Sequence, residues 1–337
     1  MRAVVTRAAN EMEVTDLPDP RPPEGAEVLV HPEAVGICGS DFHFFLGELP
    51  VGAFPRIQGH EIGATIEAVG PDCREELEVG GRVALWPLSS CGRCYPCRVG
   101  RSNVCDNFEL IGIHRDGGLQ ERMLMPQTHV FPTTQEPVVA ALAEPMSIAV
   151  RTLNRAQVSE GEQVVVIGAG PIGQTAALLA KDRGGSVLLV DRMRNRLELG
   201  EGLGMQPLVW DDRDQVVSDV IDWTGGEGAP VVIDATGAAD PIRAGVDMAA
   251  SAGRVVVVGM GPGDVPLRIG SLTEKEIDVL GVSCCGGEEF GEAVAFVDAH
   301  SEELGRLVSH EFPLDRAPEA LQFAMEHPAE VMKVVIK

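Results

Sequence analysis

Aromatic side chains are scarce in this 337-residue chain: one tyrosine, three tryptophans and ten phenylalanines make up 4% of it, which argues mildly against a large aromatic-lined pocket. Basic charge is also in short supply. Twenty-seven lysines and arginines face 51 acidic residues, a formal net charge of −24 that repels a phosphate backbone and argues against nucleic acid as a partner. No apolar run approaches the ~20 residues that span a bilayer, and the opening stretch MRAVVTRAANEMEV lacks the apolar centre of a signal peptide. The expectation is a cytoplasmic protein with no membrane partner, its acidity spread over a solvated surface.

What is present is a packed protein, 45% hydrophobic and 23% charged, long enough for two domains. Eight cysteines in a reducing compartment point to metal rather than to disulfides. The first ~140 residues carry short apolar runs (28–31, 65–69, 82–86) between glycine and proline clusters, the pattern of a β-rich, loop-rich domain without long helices. The texture changes at ALAEPMSIAVRTLNRA, which has helical spacing, followed by the buried-strand run QVVVIG. Strand-like and helix-like segments then alternate (164–167, 172–183, 187–190, 192–200, 231–234, 241–250, 255–258, 277–281), which predicts βαβ units and a doubly wound parallel sheet, an α/β fold. Residues 289–337 are expected to pack back on the first domain.

Gly168-Ala169-Gly170-Pro171-Ile172-Gly173 fits Gly-x-Gly-x-x-Gly after a strand and at the start of a helix. The first glycine permits a tight turn, the second admits a pyrophosphate to the backbone and the third allows helix and strand to pack closely; the helix N-terminus offers amides. Asp191 ends the next strand, where a carboxylate accepts the ribose hydroxyls and repels a 2′-phosphate, so NAD is favoured over NADP. Arg192 and Arg196 are further candidate contacts of the dinucleotide. Ala235 and Thr236, with Val258 and Gly259, sit at later strand ends, on the edge where such sheets bind ligands.

Cys91, Cys94, Cys97 and Cys105 form C-x2-C-x2-C-x7-C. Four thiolates saturate a tetrahedral zinc ion and leave no open position, which marks a structural site. An iron–sulfur cluster uses the same ligands, but nothing else suggests electron transfer. Cys38, His60, Glu61 and Glu144 are scattered along the chain, yet together they offer sulfur, nitrogen and oxygen ligands, the mixed set of a catalytic zinc with an open position.

CGSDFH (38–43), Gly59-His60-Glu61, the four-cysteine knot, Ala143-Glu144-Pro145 and the glycine fingerprint occur in an order and at spacings that resemble the zinc-containing medium-chain dehydrogenases over essentially the whole chain. Within that family CGSDxH, IGIHRDGG and AEP look closest to the polyol and sugar-acid branch (sorbitol, threonine, idonate, galactonate and gulonate dehydrogenases). The resemblance implies a GroES-like catalytic domain, residues 1–144 and 281–337, around a Rossmann domain, residues 145–280, with two zinc ions per chain. It implies that Cys38 and His60 ligate the catalytic zinc, that Glu61 or Glu144 completes the set directly or through water, and that Asp41 orients a ligand. It also implies hydride transfer between a secondary hydroxyl of a polyol or sugar acid and NAD, with a simple secondary alcohol, a diol or a 3-hydroxy amino acid as the alternative substrate. A non-catalytic dinucleotide-binding protein is the remote alternative, against which the full ligand set speaks.

The proton released in such a reaction needs a relay, for which Ser40 and His43 are the candidates. His114 could line the substrate site, whereas His129 reads as structural. The sequence departs from the family pattern at Gly80-Gly81-Arg82-Val83, at Ala64 and at Ser283-Cys284-Cys285-Gly286, and the last change leaves substrate specificity open. Homodimer or homotetramer formation, with 279–283 as the candidate edge strand, is a further implication.

Overall fold

A computed structural model describes residues 1–261 and 263–337. The chain forms two compact units, Met1–Ser147 with Cys284–Lys337, and Ile148–Ser283. The first is built on a seven-stranded sheet ordered Val130–Pro132, Arg82–Leu85, Glu61–Val69, Glu27–Gly36, Lys333–Ile336 and Val308–Phe312, with Met123–Pro126 also paired to Glu27–Gly36. A three-stranded sheet (Glu11–Asp16, Arg2–Ala8, Arg56–Ile57) accompanies it. Strand Glu27–Gly36 alternates between buried and half-buried positions along most of its length, as a two-residue side-chain period demands, and contributes Val28 and Val30 to a core shared with Ile62, Ile66, Val83, Leu85, Val334 and Ile336. The longest helix in this unit before residue 137 is Gly39–Phe45, only seven residues.

Strand pairing brings the two ends of the chain together. Gly36 lies opposite both Glu61 and Val335, so the carboxyl-terminal strand runs beside the residues that lead into Cys38. A Cβ at Gly36 would stand 2.0 Å from Glu61 Oε2, so a side chain there would displace the Glu61 carboxylate.

The second unit is a six-stranded parallel sheet in the order Gln206–Val209, Ser186–Asp191, Gln163–Ile167, Ala229–Asp234, Ala249–Val257, Asp278–Gly281. Helices Pro171–Asp182, Arg194–Gly202, Arg213–Trp223, Ala239–Met248 and Ile269–Lys275 join successive strands. Strand order reverses direction between Gln163–Ile167 and Ala229–Asp234, the switch point at which doubly wound sheets open a ligand crevice.

Three elements here escape the sequence pattern. Gln206–Val209 is a four-residue edge strand whose residues are exposed or half-buried, so it shows no apolar run. Arg213–Trp223 buries only Val216 and Val220, one helical turn apart, and its sequence signal is the cap, Asp212, whose carboxylate accepts from the backbone N–H of Asp214 and Gln215. Ile269–Lys275 buries no residue at all. The helix expected over 241–250 occupies Ala239–Met248 instead, because Ala249 already pairs with Ala229 in the sheet and the tertiary ladder overrides alanine's helix propensity. The helix expected from Arg192 starts at Arg194, after Asp191 Oδ1 has accepted from the N–H of Met193.

Candidate active site

The helix Gly39–Phe45 begins at Cys38, whose backbone N–H donates to Asp41 Oδ2 at 2.9 Å. Asp41 is buried, and its other oxygen lies 3.8 Å from His60 Nδ1, a buried ring nitrogen without a hydrogen-bond partner among the described residues. Gln58 also holds Asp41, donating Nε2–H to its backbone carbonyl at 2.9 Å while its own Oε1 accepts from Thr6 Oγ1–H. Ser40 Oγ lies 3.4 Å from His60 Nε2. The candidate ligand atoms of Cys38, His60 and Glu61 lie within 4.8 Å of one another.

The two carboxylates left open as alternatives are in different states. Both oxygens of Glu61 accept from Lys333 Nζ, at 2.6 and 2.8 Å, in a fully buried pair, and Nζ also donates to the Ile37 carbonyl at 3.2 Å. A metal ion would compete with the lysine for Glu61. Glu144, in the first turn of helix Ala143–Ala156, is pushed up to about 7 by burial, against the pull of His60 and Lys333. Burial opposes the charged form of His60 as well, but Asp41, Cys38 and Glu144 outweigh it and hold the ring well above the usual imidazole range. Three acids and a thiol thus converge on one histidine and one lysine. That donor set fits a divalent cation, which compensates the excess negative charge that burial makes costly.

In the knot, Cys94 Sγ is 3.3 Å from Cys97 Sγ and 3.6 Å from Cys105 Sγ, and all four thiols gather within 4.8 Å. A tetrahedron with metal–sulfur bonds of about 2.3 Å has edges of about 3.8 Å, so the spacing fits one zinc ion. Backbone amides of Arg93 and Cys94 bring the Cys91 thiol down to about 6, while burial and its neighbours raise Cys97 to about 12. The backbone N–H groups of Cys91 and Asn107 both donate to Cys105 Sγ at 3.3 Å, the arrangement that steadies a thiolate ligand.

In the second unit Gly168 has φ +100°, and a Cβ at Gly173 would stand 1.6 Å from the Gly168 carbonyl oxygen, so both positions require glycine. Gly170 caps the helix that Pro171 and Ile172 open. Asp191 Oδ2 accepts from the N–H of Ala169 at 2.7 Å, which ties the end of one strand to the glycine turn after its neighbour. Arg196 Nη1 lies 3.7 Å from where a Cβ of Gly170 would be; Arg192 is exposed. Asp234 organises the opposite wall: its carboxylate accepts from Thr236 Oγ1–H and Gly237 N–H at 2.6 and 2.9 Å, and its carbonyl from the N–H of Val258 and Gly259 at 2.9 and 3.0 Å. Ala235 N–H donates to Ile167 O at 2.8 Å, so this loop is pinned to the strand that carries the glycine turn.

Residues 24–135 match the model of the alcohol dehydrogenase GroES-like domain, and residues 171–299 that of the zinc-binding dehydrogenases. An uncharacterised zinc-type alcohol dehydrogenase-like protein of Haemophilus influenzae is 33% identical over 99% of this chain and 98% of its own. L-Galactonate-5-dehydrogenase of Escherichia coli K12 is 32% identical over 93% of the chain and 92% of its own. This chain is a zinc-containing medium-chain dehydrogenase. Its relatives place it in the polyol and sugar branch of that family. Two solved structures, each covering 99% or more of the chain and 98% or more of their own, align with it closely. A zinc-binding dehydrogenase of Sinorhizobium meliloti bound to NADP gives a TM-score of 0.91 at 30% identity, and an Escherichia coli CFT073 alcohol dehydrogenase complexed with NADH gives 0.90 at 28%.

Within this dehydrogenase several supporting residues escape sequence reading. Lys333 and Gln58 look like ordinary polar residues until the sheet brings them to Glu61 and Asp41. The nearest available signal for Lys333 is a cation in the otherwise apolar run KVVI. Cys285 is buried beside Ser147, and that burial pushes its thiol far up. His129 stacks on Trp86 and approaches Ser89 Oγ, and burial lowers its basicity. His114 Nδ1 accepts from Leu110 N–H at 3.2 Å, and its ring packs edge-on against Phe108.

Proposed function

We propose that this dehydrogenase oxidises a secondary hydroxyl of a small polyol or sugar acid with NAD, using two zinc ions per chain. The observation that carries the reading is the gathering of the Cys38, His60 and Glu61 donor atoms within 4.8 Å, with the buried Glu144 carboxyl interacting with His60, in a chain that also carries a complete dinucleotide turn. Cys38 and His60 would hold the catalytic zinc. Glu144 would complete the set, because Lys333 already occupies both oxygens of Glu61. Cys91, Cys94, Cys97 and Cys105 would hold the structural zinc. Zinc at the first site supplies Lewis acidity that eases deprotonation of a hydroxyl, and bound nicotinamide supplies the hydride acceptor.

The protein's own residues do the rest. Asp41 orients His60, Ser40 receives the hydroxyl proton, and His43, three residues on and thus on the same helix face, passes it towards solvent. Asp191 favours NAD: its free lone pairs accept ribose hydroxyls, and its charge repels a 2′-phosphate, although the Sinorhizobium relative was solved with NADP. The branch relatives that act on galactonate and sorbitol support a polyhydroxylated substrate. A homodimer or homotetramer is part of the proposal. The edge strand Asp278–Gly281 and the exposed Val279, with the exposed Met260 and Ile269, offer apolar surface for it. No described helix is long and apolar enough to cross a membrane, which accords with a cytoplasmic location.

The test combines zinc content with NAD and NADP reduction across polyols, sugar acids and simple secondary alcohols. Two zinc ions per chain and NAD-linked turnover of a polyol or sugar acid are expected. Full zinc loading with turnover only of simple alcohols would sink the substrate assignment, and Cys38→Ser with normal zinc content and unchanged kcat would sink the catalytic site.

A further inference from the structure

His43 sits in the last turn of helix Gly39–Phe45, and the way that helix ends determines what its ring meets. Gly47, at φ +74°, closes a Schellman turn: its N–H donates to Phe44 O, and the N–H of Glu48 donates to His43 O, both at 2.9 Å. The left-handed position that glycine supplies turns the chain back on itself and delivers residue 48 to residue 43. The Glu48 side chain completes the return, with Oε2 2.7 Å from His43 Nδ1. About half of each side chain stays exposed, so the pair stands at the solvent end of the helix whose first turn carries Ser40.

An ionised carboxylate only accepts hydrogen bonds, so the proton of the neutral His43 ring belongs on Nδ1 and the lone pair on Nε2. A third group that selects the tautomer of a histidine base is a known device of nucleophile–histidine–carboxylate sites, where it governs whether the ring can take a proton at all. We propose that Glu48 is a positioning residue for proton transfer: it fixes His43 as the Nδ1–H tautomer, so that Nε2 is always ready to take the proton passed from the Ser40 end of the helix. This rests on His43 being the relay. Net transfer is one proton from the substrate hydroxyl to His43 Nε2 and thence to water, with no change in Glu48.

The experiment uses the zinc-loaded protein labelled with [15N]histidine, its eight histidines resolved by long-range 1H–15N correlation above the imidazole titration range, and His43 assigned by loss of its signals in His43→Gln. The wild type and Glu48→Gln, whose amide oxygen still accepts, are expected to show Nδ1–H. Glu48→Leu should show the Nε2–H form or a mixture. With sorbitol and galactonate as probes, Glu48→Leu should lower kcat about tenfold, less than the ~10²- to 10⁴-fold that a general base contributes, with KM for NAD unchanged and Glu48→Gln largely restored. The Glu48 N–H to His43 O bond is made by the backbone, so substitution of the Glu48 side chain does not itself remove it, and a role confined to that turn is expected to move neither readout. An unchanged tautomer in Glu48→Leu overturns the proposal, as does wild-type kcat in Glu48→Leu beside a slow His43→Gln. Wild-type kcat in His43→Gln overturns the relay reading itself.

Discussion

Lys333 and Glu61 lie 272 positions apart in the chain and meet as a buried ion pair, in which each group's desolvation is offset chiefly by the other. Removing the lysine alone leaves a buried carboxylate without the cation that holds both its oxygens. Lys333→Met is therefore expected to lower unfolding free energy by about 3–5 kcal/mol, and Lys333→Met with Glu61→Leu to recover much of it, as measured by denaturant titration. A single variant within about 1 kcal/mol of wild type would show that Glu61 finds another partner. Glu144 makes a pH-dependent contribution in the metal-free protein. Its acid form is favoured on folding up to about 7, so stability from this group is present below the ordinary carboxylate range and is lost as pH rises through about 7. Zinc binds the ionised form. The melting-temperature gain on adding zinc to the chelated protein should therefore grow between about pH 6 and pH 8, and Glu144→Gln should flatten that growth. An identical slope in Glu144→Gln would remove Glu144 from the metal site.

The segment Cys91–Cys105 has little structure of its own: a four-residue helix Tyr95–Arg98 and a single 3-10 turn Ser102–Val104, with Tyr95 and Val99 exposed. Without an apolar face to bury, its conformation depends on what the four sulfurs hold. Chelation of zinc is expected to open this segment to limited proteolysis before the rest of the chain unfolds, with cleavage sites read by mass spectrometry. Protection that survives complete zinc removal would contradict a structural metal. Helix Arg213–Trp223 depends on its cap in a comparable way. Asp212 satisfies the N–H groups of Asp214 and Gln215 at 3.0 Å each, and Asp212→Ala should cost about 1 kcal/mol.

At the scale of the whole molecule, a net charge of −24 on 337 residues raises the energy of the compact state by self-repulsion. Salt screens such repulsion, with a Debye length of ~10 Å at 0.1 M. The melting temperature should rise with potassium chloride from low ionic strength, and a fall would mean that attractive surface pairs such as Arg21–Glu27 and Arg122–Glu67 outweigh the net charge.

Much of this protein is legible in its sequence because the relevant signals are local. The glycine turn, the four cysteines within fifteen residues and the apolar strands Gln163–Ile167 and Ser186–Asp191 each declare themselves within one turn, one knot or one strand. Elements with little burial, such as Gln206–Val209 and Ile269–Lys275, leave no such trace, since it is burial that writes hydrophobic periodicity. The candidate metal cluster is legible as a set of residue types at family-like spacing, but not as an arrangement. Which carboxylate Lys333 would claim, which side chain would brace Asp41 and which acid His43 would meet depend on strand register and on one left-handed glycine. Those contacts join residues as much as 272 positions apart, and only the folded chain decides them.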